Sequence, residues 1–279
     1  MTAQAQTTTS FLLIDGSLLA AADIPVPAPD DRPAWLTQVY DDRAAAVSPL
    51  LIDIDAAQAT GACAQMMALA NALHPQLHAS LIDTTLSHAE LTHHLRHFIM
   101  IGTADKNAYT LRFADCTVLP ILATVFTPEQ WAALVSPIAH WCVHGRDGAL
   151  LALPQADGAL TLSPPLVLTD DQLYALAEAA APSVMLAHIR GMRHGAALPG
   201  SAADQHRWAN DARDLWRGAG NADDIVLRWL TSAALDTYGE VLRLRGLPAL
   251  LASADRGAIR DGLLAAVGDH RDEPERRPQ

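Results

Sequence analysis

The sequence predicts an α/β (α+β) chain, with an N-terminal mixed-sheet lobe and flanking helices followed by a C-terminal helical lobe. Three observations predict it. Short apolar runs of strand length, bounded by turn residues, crowd the first half of the chain. Helix-start signals fall between them. Past about residue 155 the strand signals stop and the apolar residues take helical spacing.

Residues 1–10 are polar and carry no Lys or Arg, and disorder is expected there. The apolar stretch 11–22 is interrupted by Asp15 and falls short of the ~20 apolar residues a spanning helix needs. It matches neither a secretory leader nor a membrane span, so a cytoplasmic protein is expected. Strands are expected at 11–14, 50–54, 80–82, 98–101, 109–113, 141–143 and 150–153, with residues 102–107 as a hairpin loop. A helix is expected over 61–73, with Met66, Leu69, Ala70 and Leu73 on one face. Ser87-His-Ala-Glu90, Thr127-Pro-Glu-Gln130 and Thr169-Asp-Asp-Gln172 are capping boxes. In each, the hydroxyl accepts from the third backbone amide while Glu or Gln reaches back to the cap amide. Pro128 stands at the first helical position, where its missing N–H costs nothing.

Gln155-Ala-Asp-Gly158 and Ser163-Pro-Pro165 form a connector. The α/β lobe is therefore expected over 11–155 and the helical lobe over 156–267. Helices are expected at 166–188, 202–218, 223–244 and 247–267, and the stretch from Gly195 to Ser201 breaks them. The charged, proline-containing tail 268–279 is expected to be disordered.

Composition excludes several classes. Half of the 279 residues are hydrophobic, ample for a core, and the net charge is −12. An acidic chain repels phosphate, so neither nucleic acid nor an anionic membrane surface is an expected partner. Cys63, Cys116 and Cys142 contain no CxxC pair, and suit a reducing compartment rather than a disulfide framework.

Chemical motifs are incomplete. There is no GxGxxG, GxxxxGK[ST] or GxSxG. His88, His93, His94 and His97 cluster on one expected helix, and His93 and His97 share a face. Two histidines fall short of the three or four ligands of a metal site, and a solvated helix face is the plainer reading. His140, Cys142 and His144 alternate onto one strand face, ~7 Å apart, which is wide for a nucleophile-base pair. Asp170-Asp171 and Asp223-Asp224 fall where helices begin, and Asp53, Asp55 and Asp83 near strand ends. Most of the six tryptophans are expected to be in the core or half-buried, with Trp208 and Trp216 on one helical face beside Ala212 and Leu215. No catalytic residue, metal or cofactor is expected.

Six segments carry a family likeness. Phe11-Leu-Leu-Ile-Asp15-Gly16 is a strand ending in an Asp-Gly turn, and Ser48-Pro-Leu-Leu-Ile-Asp53 is a second strand. Leu91-Thr-His-His-Leu-Arg96-His-Phe98 is followed by Leu111-Arg112-Phe113-Ala-Asp115-Cys-Thr-Val-Leu119-Pro120. Thr127-Pro-Glu-Gln-Trp131 and Ser136-Pro-Ile-Ala-His-Trp141 close the series. Together these resemble the type VI secretion effector adaptor-chaperone family, catalogued as a domain of unknown function. Ala114 and Cys116 depart from its pattern, where an aromatic and a proline are common. Arg112, expected on a strand, can form a bidentate pair with a carboxylate, and Asp115 can cap a helix over 119–126, so the motif has a fold role.

The resemblance implies a non-enzymatic protein. It would bind the N-terminal region of a cognate effector in the cytoplasm and help deliver it to the valine-glycine-repeat spike protein. Two rivals stay open. One is an immunity or regulatory protein that neutralises a toxin by binding it. The other is a His/Asp-based hydrolase using His93 and His97 or the strand from His140 to His144.

Overall fold

A computed structural model describes residues 8–40, 42–156 and 165–272. It contains β1 (Thr9–Ile14), α1 (Gly16–Ala21), a 3-10 turn (Pro29–Asp31), β2 (Leu36–Gln38) and a second 3-10 stretch (Asp42–Val47). These are followed by β3 (Leu50–Asp53), α2 (Ile54–Ala59), α3 (Cys63–Ala70), β4 (Ala79–Thr84) and α4 (His88–Arg96). Next come β5 (Met100–Thr103), β6 (Ala108–Thr110), α5 (Leu119–Val125), α6 (Pro128–Val135), β7 (Ile138–His144), β8 (Leu150–Ala152) and β9 (Leu166–Leu168). The remainder is helical: α7 (Asp170–Met192), α8 (Ala202–Gly218), α9 (Asp224–Asp236), a 3-10 turn (Glu240–Arg243), α10 (Leu247–Leu251) and α11 (Arg256–Asp272). The fold is thus mixed α/β followed by helices, as the sequence predicts.

The chain divides into two compact units, Met1–Leu176 and Ala177–Gln279. The division falls inside α7, twenty-one residues beyond the boundary read from composition.

In the first unit, six strands form one sheet in the order β2-β3-β1-β4-β7-β8, and every neighbouring pair is antiparallel. Leu50, Leu51 and Ile52 are all buried because helices cover both faces. Phe11, Leu13, Leu51 and Ile82 pack with α4, α5 and α6, whereas Ile14, Leu50 and Ile52 pack with α1, α2 and α3. A second sheet has the order β6-β5-β9, with β5 and β9 parallel.

The three capping boxes form. Ser87 and Glu90 make theirs at the exposed start of α4. Thr127 and Gln130 start α6, and Thr169 and Gln172 start α7. The two glutamines are buried and bonded to each other, Gln172 Nε2 donating to Gln130 Oε1 at 2.6 Å. Each amide also donates outward, Gln130 to Val167 O (3.0 Å) and Gln172 to Val125 O (2.9 Å). Glutamate could accept at these positions but could not donate while ionised.

Several expected boundaries move. β5 starts at Met100 because turn bonds hold His97, Phe98 and Ile99 onto the end of α4. β6 stops at Thr110 because Leu111 N donates to Ile99 O and the chain then turns, Asp115 N meeting Arg112 O. Arg112 is therefore in a turn segment and not on a strand. Leu166–Leu168 forms β9 instead of opening a helix, and the helix waits for the Thr169 cap. Tyr238 and Gly239 adopt left-handed backbone, φ 51° and 85°, and end the helix expected through 244. A Cβ at Gly239 would also collide with the indole of Trp208. Asp255 accepts from Gly257 N and Ala258 N and divides the helix expected over 247–267. Thr9 and Ser10 belong to β1, and α11 runs through Gly268 to Asp272. Residues 1–7 and 273–279 of the two expected disordered ends, and most of the connector, lie outside the described residues.

In the second unit, Trp208, Ala212 and Trp216 of α8 are buried with Val226, Leu230 and Ala234 of α9. Glu178 accepts from Arg217 (NH2, 2.9 Å) and pairs with Arg213 (2.6 Å). The Arg217 hydrogen bond, assisted by Arg213, holds the Glu178 carboxyl down at about 2.

Two outcomes are expected. Gln172→Glu lowers stability at pH 7 by roughly 2–3 kcal/mol, because a buried carboxylate would face two acceptors. The deficit in a denaturant midpoint should shrink in mild acid, where a protonated glutamate regains a donor. For Glu178, a folded pKa below the ordinary carboxylate value stabilises the fold above that value, and the contribution disappears as pH falls towards about 2. Glu178→Gln should therefore be less stable than the native chain at pH 7, and the two should converge at pH 2–3 in the same measurement.

Candidate functional site

Asp15, at the end of β1, is the N-cap of α1. Its Oδ1 accepts from Ser17 N (2.8 Å) and Ser17 Oγ (2.5 Å). Gly16 follows because a Cβ there would overlap the carbonyl oxygen of Ser48. From 97 residues away, Arg112 sends one nitrogen, NH2, to Asp15 Oδ2 (2.9 Å), Asp115 Oδ2 (3.2 Å) and Ser17 Oγ (3.0 Å). Both carboxylates are nearly buried, at 5% and 8% side-chain exposure. Burial disfavours the guanidinium charge, but Asp15 and Asp115 outweigh it and hold the Arg112 pKa above its ordinary value. Asp115 does not cap α5. Its Oδ1 accepts from Thr117 N and Thr117 Oγ1, both at 2.8 Å, and closes a turn ahead of the helix.

The remaining motif residues support this knot or stand apart from it. Phe113 and Leu119 are fully buried, and Pro120 sits in the first turn of α5. Trp141 is buried in β7 and donates from Nε1 to Ser80 Oγ at 3.0 Å. Arg96, in the last turn of α4, reaches β2 instead, Nε to Val39 O (2.9 Å) and NH2 to Gln38 O (3.2 Å).

Arg96 stands in a groove of about 1000 Å³ within the first unit. The groove runs along β2 and faces the start of β5 and the end of β6. Leu36, Val39, Tyr40 and Ile99 give it an apolar floor, and Val47 and Met100 are exposed within it. Arg32, Arg96 and His97 also line it, and among the residues whose side chains are described no Asp or Glu does. Tyr40 connects groove and knot. Its hydroxyl is pushed up to about 12 by burial and by the Asp15 carboxylate. The sequence reading missed β2, although Trp35-Leu-Thr-Gln-Val-Tyr40 is rich in strand-favouring residues.

Four of these histidines, His88, His94, His97 and His144, bond main-chain carbonyls. His88 Nε2 donates to Leu51 O (3.3 Å) and His94 Nε2 to Leu134 O (2.7 Å), and burial lowers both pKa values. His97 Nδ1 donates to His93 O at 2.8 Å, and the two rings meet edge to face at 4.4 Å. On β7, His144 Nδ1 donates to Ala79 O (2.9 Å) and His140 faces Gln155. Burial pushes the Cys116 thiol up to about 12, far from a reactive thiolate. Asp53 and Asp223 cap α2 and α9, and Asp83 accepts from Ser10. Among the described residues, no three His, Cys, Asp or Glu side chains are grouped to hold a metal.

The knot generates a prediction. Arg112→Ala leaves two buried carboxylates without their cation and should cost about 3 kcal/mol in a denaturant titration. Arg112→Lys should retain most of that stability, because all three contacts run through one nitrogen. Equal losses in the two variants would refute the single-nitrogen account.

Among known proteins, no curated protein and no solved structure matches the chain. A family model described as "Domain of unknown function (DUF4123)" does match, over residues 10–133. Over that span, which holds the whole Arg112 knot, Arg96 and every groove-lining residue except Pro165, the chain is similar to the DUF4123 family.

Proposed function

We propose that the protein is an adaptor-chaperone that binds a cognate type VI secretion effector and helps load it onto the valine-glycine-repeat spike protein. The observation that carries this reading is the groove. It is large, floored with apolar side chains and bordered by the edge of a sheet, and it lies in the span similar to the DUF4123 family. A concave apolar surface with a few polar groups suits a segment of another protein. The effector and spike come from the resemblance of the motif residues to the adaptor family. In this reading the protein works in the cytoplasm and performs no chemistry. Among the described residues, no helix is long and apolar enough to cross a membrane.

The test is reconstitution with the product of the neighbouring effector gene. The two purified proteins should form a complex with a dissociation constant of about 1 μM or tighter. The complex should then capture the spike protein better than the effector alone does. Absence of any complex between the two would sink the adaptor reading.

A further inference from the structure

The groove has a polarity that the whole chain lacks. The protein carries a net charge of −12, yet among the residues whose side chains are described the ionisable ones lining this surface other than Tyr40 are Arg32, Arg96 and His97. Among the described residues neither arginine has a carboxylate partner. Arg32 Nε reaches Pro27 O at 3.4 Å, and Arg96 donates to Gln38 O and Val39 O. Those two bonds fix the Arg96 guanidinium in place and leave its charge uncompensated.

The main chain of β2 supplies the second half of the recognition. β2 ends the sheet order, and its pairing with β3 puts Thr37 opposite Leu51. Trp35 O accepts from Asp53 N and Val39 N donates to Pro49 O, so residues 35, 37 and 39 face β3. By alternation, the main-chain groups of Leu36 and Gln38 face away from it. Leu36 N is taken by Pro33 O and Gln38 O by Arg96. Among the described residues Leu36 O and Gln38 N have no main-chain partner, one acceptor and one donor of the kind a strand-adding segment uses.

We infer that this groove takes an extended, apolar segment of the partner protein that carries an acidic side chain, laid along β2 with its carboxylate on Arg96 and Arg32. The inference rests on the adaptor reading for the identity of the partner, and gives its docking segment a chemistry. Such a groove would let an acidic protein engage an acidic peptide. The attraction is local, and the rest of the surface disfavours unguided binding of the same segment.

The test uses the full chain and a fluorescein-labelled hexapeptide alternating valine and aspartate, with a valine-lysine peptide as its counterpart. By fluorescence anisotropy the acidic peptide should bind about tenfold or more tightly than the basic one, with the difference shrinking as salt rises. Arg32→Gln and Val47→Glu should each weaken it about tenfold, whereas Met67→Glu, on exposed α3 surface, should leave it unchanged. Equal binding of the two peptides, or acidic-peptide affinity unchanged in both groove variants, overturns the proposal. The same variants, confirmed folded by circular dichroism, are then mixed with the effector. Effector binding at native affinity in Arg32→Gln and Val47→Glu overturns the groove and leaves the adaptor reading standing. Peptide binding as expected, without effector binding by the native chain, upholds the groove and overturns the adaptor reading.

Discussion

Arg112 holds together segments that lie far apart in the chain. Its NH2 nitrogen touches Asp15, where the central strand β1 gives way to α1, and Asp115, in the turn that leads to α5. Asp15 is committed on all sides. Its carboxylate caps α1, its backbone N–H donates to His78 O at 2.7 Å, and its second oxygen meets Arg112. Gly16 must then pass so close to the Ser48 carbonyl that no side chain fits. One cation therefore fixes the exit of β1, the start of α1 and the chain leaving β6. Two buried carboxylates this close tolerate each other only with a positive charge between them.

From that fixed point the groove follows. The segment after β6 returns along Ile99, and α4 ends where Arg96 can reach β2. Pro49 is part of the reason for that reach. It lies opposite Val39 and has no N–H, so Val39 O finds no donor on β3. Arg96 Nε supplies that donor. The same side chain thus repairs an incomplete strand pair and places a fixed positive charge beside a sheet edge. These are separate consequences of one geometry, and loss of Arg96 would disturb both.

The sequence showed what was local. Capping boxes need four consecutive residues, and all three formed. Apolar runs such as Leu50-Leu-Ile52 announced strands buried on at least one face, and the structure buries this one on both. β2 and β9 escaped because three residues give no periodicity to count, and Leu166-Val-Leu168 reads equally well as helix. Arg112 was singled out as a residue in need of a carboxylate, but it meets two of them through one nitrogen instead of one through a bidentate fork, Asp115 three residues on and Asp15 from 97 residues away, and its strand assignment failed. Spacing along the chain carries no information about a contact 97 residues away. The groove was illegible for the same reason, being assembled from segments between Arg32 and Pro165.

Glutamine in two capping boxes and glutamate in the third shows how one motif conceals different constraints. Glu90 is exposed, and its carboxylate accepts from both Ser87 N and Ser87 Oγ, so charge is tolerated and useful there. Ser87 lowers its pKa accordingly. Gln130 and Gln172 do the same capping work where water is excluded, and their amides must also satisfy carbonyls of Val167 and Val125. A carboxylate would lack the donor and add a buried charge. The sequence contained this difference, but only burial gives it meaning. The start of α7 is thereby tied to the start of α6 through amide hydrogen bonds, so the first turn of the helix that continues into the second unit is fixed in the first by polar contacts that depend on remaining uncharged.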